Sequence, residues 1–345
     1  MYKKIIIALV VCINFFSMCQ NAEAGWYSSS WKKRRSVSIT GSGSAQTNYQ
    51  VEFDVTYDSD MQSDFDDIRF TSSNGTTEIY YWRETYTAST QATFVVEVPS
   101  IPTGGTTIYM YYGNASVATT SDGGNTFLFF DDFDDNSFDT TNKWTQVGTG
   151  TIIEQNQNLS ITSNGTNRVY ARSKTSLSAP YKLECSARRT GNGAGDNIEI
   201  AINWDGTIGG AAPCYYRIFA GYYAPYYNSW AGGGTYLAIQ EAVTATVYTD
   251  FLPTYAVILD TSWHDYKIIS RSNGDITIDF DGTEILSASD STPRTSGYIG
   301  FSSREAPTAL NSRYDTVRVS KFIDPPPAAT VGNEEGGLSN VLIFE

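Results

Sequence analysis

The residues best suited by type and spacing to do chemistry are aromatic. Between Cys214 and Trp230 stand Tyr215, Tyr216, Tyr222, Tyr223, Tyr226, Tyr227 and Trp230, interleaved with Gly221, Pro225 and Asn228. Tyrosine and tryptophan offer flat apolar faces with a polar edge, which suits sugar rings and protein partners alike. Gly and Pro break the segment too often for one strand, so Tyr222, Tyr223, Tyr226, Tyr227 and Trp230 are read as an exposed ligand-binding platform. The alternative is core, with Tyr216 and Ile218 alternating inward.

Catalysis is harder to place. Glycoside hydrolysis needs two carboxylates flanking the scissile bond. The nearest stretch, Asn197-Ile198-Glu199-Ile200-Ala201-Ile202-Asn203, sets Glu199 on a face with Asn197, Ala201 and Asn203 and no acidic neighbour. Glu184 and Asp196 could assist only from elsewhere in the fold, and Glu199 reads better as a polar group on an exposed strand face. His264 is the only histidine, which excludes a multi-histidine metal site. No glycine-rich loop opens a helix to cradle phosphate. No catalytic residue is assigned, and the balance leans away from an enzyme. Asp131, Asp132, Asp134, Asp135 and Asp139 crowd one short region and supply the hard oxygens that Ca²⁺ takes, without the spacing of an EF-hand loop.

The elements that must carry these residues are strands. Tyr49, Val51, Phe53, Val55 and Tyr57 alternate with polar residues, as do Ile198, Ile200, Ile202 and Trp204, and Ile276, Ile278 and Phe280. Period-two alternation marks half-buried strands. Asn74-Gly75, Asn164-Gly165, Asn273-Gly274 and Asp281-Gly282 supply the positive φ of tight hairpins. Helical periodicity is nearly absent, which predicts an all-β chain of two tandem antiparallel β-sandwich or jelly-roll domains.

Lys3 and Lys4, the apolar run Ile5 to Phe16 and the small-residue exit Ala22-Glu23-Ala24 predict a secretory signal peptide over residues 1–24. The run is short of the roughly 20 residues a membrane span requires. The bulky Met18 argues against lipidation at Cys19. No later segment predicts a span, so the expected location is secreted, cell-surface or periplasmic. In that setting Cys185 and Cys214 read as a disulfide, with two buried free thiols the alternative. The first domain is expected over 25–126 and the second over 127–323. Asp324-Pro325-Pro326-Pro327 then opens a Pro-rich linker and loose tail, 324–345, that ends in the apolar Val341-Leu342-Ile343-Phe344. A net charge of −14 over 345 residues argues against nucleic acid and against anionic membranes. The basic run Lys32-Lys33-Arg34-Arg35 stands out against that charge. It is read as solvating an opening strand, with attraction of anionic glycans the alternative.

Several motifs occur in a familiar order: Trp31-Lys32-Lys33-Arg34-Arg35, Asn48-Tyr49-Gln50-Val51, Asp64-Phe65-Asp66-Asp67-Ile68-Arg69-Phe70, Tyr81-Trp82, Val98-Pro99-Ser100-Ile101-Pro102 and Ile108-Tyr109-Met110-Tyr111-Tyr112-Gly113-Asn114. They resemble the DUF2341 family over residues 30–127, a module without an established reaction. Residues 127–323 resemble a concanavalin A-like lectin/glucanase jelly roll of the laminin-G-like kind. That resemblance rests on Phe130-Asp131-Asp132-Phe133, Trp144, Trp263-His264-Asp265-Tyr266-Lys267, Ile276 to Gly282 and Tyr314-Asp315-Thr316-Val317-Arg318-Val319. It implies a structural calcium between the first and last strands, pairing Asp131 or Asp132 with Asp315. Members bind sugars, bind proteins or hydrolyse glycans, so fold alone leaves function open. The sequence reading is a non-catalytic secreted or surface protein that recognises glycan or another envelope component. The rivals are a polysaccharide-acting hydrolase and a structural subunit of a surface assembly.

Overall fold

The computed structural model describes residues 24–163, 169–191, 197–207, 215–222, 235–242, 248–256, 260–303 and 311–336. Of the predicted signal peptide only Ala24 falls within them, and the apolar stretch 341–344 lies outside. The chain is all-β, as the alternation predicts. The smaller sandwich begins with β1 (Lys33–Ile39), β2 (Gln46–Thr56) and β3 (Arg69–Thr71). It continues with β4 (Tyr81–Thr87), β5 (Gln91–Ile101) and β6 (Thr106–Tyr112). Its alternating residues Tyr49, Val51, Phe53 and Val55 all turn inward, against Phe65, Phe70, Phe94 and Met110.

A single helical turn, α1 (Gly123–Thr126), capped by the Asp122 carboxylate on Asn125 N, leads into the larger sandwich. Its strands open with β7 (Phe129–Asp131), β8 (Trp144–Gly148), β9 (Gly150–Glu154) and β10 (Leu159–Ser163). After these stand β11 (Val169–Ser173), β12 (Leu177–Ser178), β13 (Tyr181–Arg189) and β14 (Asn197–Trp204). Next come β15 (Tyr215–Tyr222), β16 (Thr235–Ala242), β17 (Tyr248–Ala256) and β18 (His264–Ser270). The last are β19 (Asp275–Phe280), β20 (Thr283–Ser289), β21 (Ser296–Ser303) and β22 (Asn311–Lys321).

Two eight-stranded antiparallel sheets result. One has the order β20-β19-β18-β13-β22-β10-β9 with β7 also on β22; the other runs β17-β16-β15-β14-β21-β11-β8 with β12 also on β21. Between them lies one core that includes Leu183, Ile200, Ile218, Ile268, Phe301 and Val319. This is a jelly-roll-like sandwich built by burying alternate side chains of both sheets.

One expectation is corrected. The sequence predicts a loose stretch from Ala328 onward, but residues Ala329–Gly336 form β23, which pairs antiparallel with β1. The smaller sandwich therefore has a three-stranded sheet β2-β5-β4 facing a four-stranded sheet β23-β1-β6-β3. Its last strand arrives after the chain has traversed the whole larger sandwich. The basic run Lys32 to Arg35 is placed by the same pairing. Lys33 and Arg34 meet Glu334 and Glu335, while Arg35 meets Asp58.

The two sandwiches touch through an apolar group of Trp82, Val95, Phe127 and Phe130. Beside it, Gln50 Nε2 donates to Thr126 O at 2.9 Å and Gln50 Oε1 accepts from Lys321 N at 3.0 Å.

Candidate functional site

The site begins with an irregularity in β14. Ile198, Ile200 and Ile202 face the core, as their alternation predicts. Asn203 then takes φ of 50°, and the register with β21 slips between Ala201 and Trp204. This bulge adds one residue on the β14 side and reverses the facing of the residues beyond it. Trp204, expected on the isoleucine face, instead packs on the outer face with Tyr170, Ala201 and Tyr215. Asn203 takes the inward place. Its Nδ2 donates to Ser270 Oγ at 2.9 Å and Arg294 O at 2.7 Å, and its Oδ1 accepts from Tyr181 OH at 2.7 Å. Across the bulge Gly297 has φ of 147°, and a Cβ there would lie 2.5 Å from Asn203 C and Trp204 O. Only glycine permits that approach.

On the outer face Glu199 and Arg217 are 0% and 2% exposed, and they pair at 2.9 Å. Tyr170 OH donates to Glu199 Oε1, Tyr215 OH donates to the same oxygen at 3.4 Å, and the two hydroxyls lie 2.7 Å apart. Arg217 Nη1 donates to Gln240 Oε1 at 2.9 Å, and its guanidinium lies 4.4 Å over the Phe219 ring. Trp204 completes the ring of aromatics, with centroids 5.0 Å from Tyr170 and 5.7 Å from Tyr215. Glu199 is thus no solvated strand-face residue. A buried charge is tolerated only when paired and hydrogen-bonded, and here an arginine and two phenols supply both. At the rim, the half-buried Arg172 lies 4.4 Å over the Tyr298 ring and donates to Gly206 O at 3.2 Å. Gly206, at φ of 94°, leaves the room that rim contact requires.

This group is closed off from solvent: Tyr170, Trp204 and Tyr215 are 1%, 0% and 4% exposed beside the pair. Its carboxylate is neutralised by Arg217, and the side chains gathered round it among the described residues are basic, phenolic or amide. Glu184, the helper considered for catalysis, lies on the other sheet, in β13; Asp196 lies outside the described residues. Of the sequence-predicted platform, Tyr222 ends β15, while Tyr223, Tyr226, Tyr227 and Trp230 lie outside the described residues. Tyr216 and Ile218 are core. Cys185 is a free thiol buried in the core, and Cys214 lies outside the described residues. Burial pushes the Cys185 thiol well up. His264 sits between Asp281 at 2.8 Å and Asp260 at 3.4 Å, stacked on Phe280.

Among the described residues, no three of the aspartates named for calcium bring ligand atoms within 4.8 Å of one another. Asp131 is buried, and both its oxygens are taken, one by Lys143 Nζ and the other by Trp144 Nε1, each at 2.6 Å. Asp315 accepts from Thr316 N at 2.8 Å. Burial raises its pKa, and the charges of Asp134 and Asp132 add to the rise. Among the described residues, the only three carboxylates whose ligand atoms fall within 4.8 Å of one another are Asp58, Asp60 and Glu334. Lys33 and Arg35 already neutralise those. No step is drawn through a metal ion. No helix among the described residues is long and apolar enough to cross a membrane.

A second polar group was invisible in the sequence because only register assembles it. On the outer face of the other sheet, Arg318, Glu184, Lys267 and Asp279 are cross-strand partners on β22, β13, β18 and β19. Signs alternate along the row, which is the favourable cross-strand arrangement. Glu84 of the smaller sandwich caps it through Arg318 at 2.5 Å, and Arg318 Nε meets Glu184 at 3.0 Å. These residues line a cleft of about 280 Å³ between the sandwiches. Burial pushes the Glu84 carboxyl up despite Arg318. Burial also works against Glu184, but Arg318 and Lys182 outweigh it and hold that carboxyl low. The charges satisfy one another, so the cleft reads as a joint.

The DUF2341 family profile, a domain of unknown function, matches residues 64–147. That match bears out the resemblance seen in the motifs but starts later and runs past α1 as far as Val147. No curated protein matches. Among solved structures, a carbohydrate-binding module of Bacillus subtilis is 14% identical, with TM-score 0.42, over 53% of this chain and 98% of its own. A family 16 endo-glucanase of Bacteroides ovatus is 15% identical, with TM-score 0.40, over 56% and 99%. A kappa-carrageenase of Zobellia galactanivorans is 13% identical, with TM-score 0.43, over 57% and 94%.

Proposed function

We propose that this chain is an exported, non-catalytic glycan-binding protein whose ligand lies across the outer face of the β14–β15–β21–β11 sheet. One observation carries the reading: a fully buried Glu199–Arg217 pair enclosed by Tyr170, Trp204 and Tyr215 on a face turned away from the core. The half-buried Tyr298 ring with Arg172 over it presents an aromatic face beside a cation, which suits a sugar ring's apolar C–H face edged by hydroxyls, while the buried Tyr170, Trp204 and Tyr215 support them from beneath. Tyr298 and Arg172 at the rim are the contacts a ligand reaches first. Glu199 and Arg217 hold the floor rigid beneath them, which lowers the ordering cost of binding. A hydrolase would need a second carboxylate facing Glu199 across the bond.

Affinity electrophoresis through gels cast with a panel of soluble neutral and acidic polysaccharides tests this. At least one polysaccharide should retard the protein, and Tyr298→Ala or Arg172→Ala should weaken retardation about tenfold, the loss of roughly 1.4 kcal/mol. Reducing-sugar release from the same polysaccharide, abolished by Glu199→Gln, would replace this reading by the hydrolase. Retardation unchanged in both rim variants would remove the assignment to this face.

A further inference from the structure

We propose that β23 is an exchangeable strand through which copies of this chain join, the β23 of one copy occupying the place beside β1 of the next. The first ground is how β23 is held. None of its eight residues is fully buried, and Ala329 and Val331 are its only partly buried hydrophobics against the smaller core. What fixes it is a backbone ladder with β1, the bonds of Thr40 to Ala328 at its start, and at its far end the ion pairs of Lys33 with Glu334 and Arg34 with Glu335 and the Tyr112 hydroxyl on Glu334. A ladder and charge pairs are contacts that a second copy reproduces identically, whether the pair is exposed, as at Lys33, or half-buried, as at Arg34. The second ground is the connection. β22 ends at Lys321 and β23 starts at Ala329, separated by a segment that contains Asp324-Pro325-Pro326-Pro327. Consecutive prolines favour an extended polyproline form of about 3.1 Å per residue. Seven residues then reach about 20 Å, far enough to carry β23 off its own sandwich. Exchange conserves every β1–β23 contact and changes only this connection, which is why strand exchange is a low-cost route to association. The third ground is topology. Each chain carries one donor strand and one acceptor edge, and without β23 the edge of β1 presents unpaired backbone groups that demand a partner. A donor and an acceptor on each copy give a closed ring or an open head-to-tail chain.

Ser38 and Thr330 are directly opposed in the ladder and both exposed, so cysteines there report the pairing without disturbing the core. Two chains lacking residues 1–24, Ser38→Cys and Thr330→Cys, each also carrying Cys214→Ser so that the buried Cys185 is the one other thiol, are mixed at high concentration, incubated and mildly oxidised. Exchange predicts a covalent heterodimer at least tenfold above the dimer that either chain gives alone. The double variant should give a ladder of covalent multimers on a non-reducing gel. A double variant that oxidises only to an internally bridged monomer, with no heterodimer from the mixture, overturns the proposal. A double variant that forms no bridge of either kind overturns it too, because β23 would then not lie beside β1.

Discussion

Arg318→Ala should be among the most damaging single changes at the joint between the sandwiches. The guanidinium is 10% exposed and is shared by Glu84 from one sandwich and Glu184 from the other. Truncation leaves both carboxylates in a half-buried cleft without their cation. Breaking a buried pair by removing one partner costs about 3–5 kcal/mol. The carboxylates retain some access to the cleft, and Lys182 still reaches Glu184 at 2.9 Å, so about 3 kcal/mol is expected. Urea titration at pH 7, followed by tryptophan fluorescence, measures this as a lower midpoint at nearly unchanged slope. The triple variant Arg318→Met, Glu84→Gln, Glu184→Gln removes the charges together and should recover most of the loss. The penalty of Arg318→Ala should also shrink toward pH 4, where the stranded carboxylates take up protons. A loss below about 1 kcal/mol, or a triple variant as damaged as the single, would refute the reasoning.

Glu154 is 8% exposed. Burial and the hydrogen bond to Asp135 push its carboxyl up to about 7, against the opposing Ser137 N–H. A raised carboxyl pKa stabilises the fold below the unfolded value and loses that contribution as pH rises through the folded one. Glu154→Gln should therefore flatten the fall in stability between pH 4.5 and 8 and leave the protein about 1–2 kcal/mol more stable at pH 8, read by thermal melts across that range. Asn203→Ala strands the Tyr181 hydroxyl in the core and should cost about 2–3 kcal/mol by urea titration. Gly297→Ala forces a methyl onto the β14 backbone; its expected signature is a lower Tm together with an altered near-ultraviolet signal from Trp204. Ending the chain after Asp324 removes β23, and amide exchange in β1 and β6 should then quicken at least tenfold while β13 and β14 stay protected.

Much of the fold was legible because local sequence and global burial agree. Tyr49, Val51, Phe53 and Val55 alternate in the sequence and in the core. Asp281-Gly282 makes its hairpin at φ of 49° and 78°. The chain passes from one sandwich to the other through α1, beside the apolar contact at Phe127. Three features escaped for one physical reason, that long-range pairing decided them. A bulge is one residue inserted against a distant partner, so Trp204 looked like the next member of the isoleucine face until β21 fixed the register. The row Arg318, Glu184, Lys267 and Asp279 is scattered along the chain and contiguous only across strands. β23 is too polar to announce itself as a strand, and its partner β1 lies at the opposite end of the described chain. The group around Glu199 had one sequence signal, a carboxylate amid isoleucines in a strongly apolar strand. Reading it as solvated missed Arg217 and Tyr215, two strand positions that share its face.

The strands that open and close the larger sandwich are antiparallel neighbours, with Phe129 opposite Val319 and Leu128 N donating to Val319 O at 2.8 Å. The chain thus enters and leaves the larger sandwich on adjacent strands about 5 Å apart. A unit whose ends meet can be lifted out and the gap closed by a short turn, or replaced by another domain, with little strain on the backbone of its host. The smaller sandwich is thereby a socket, and what is displayed in it can change while the socket stays the same.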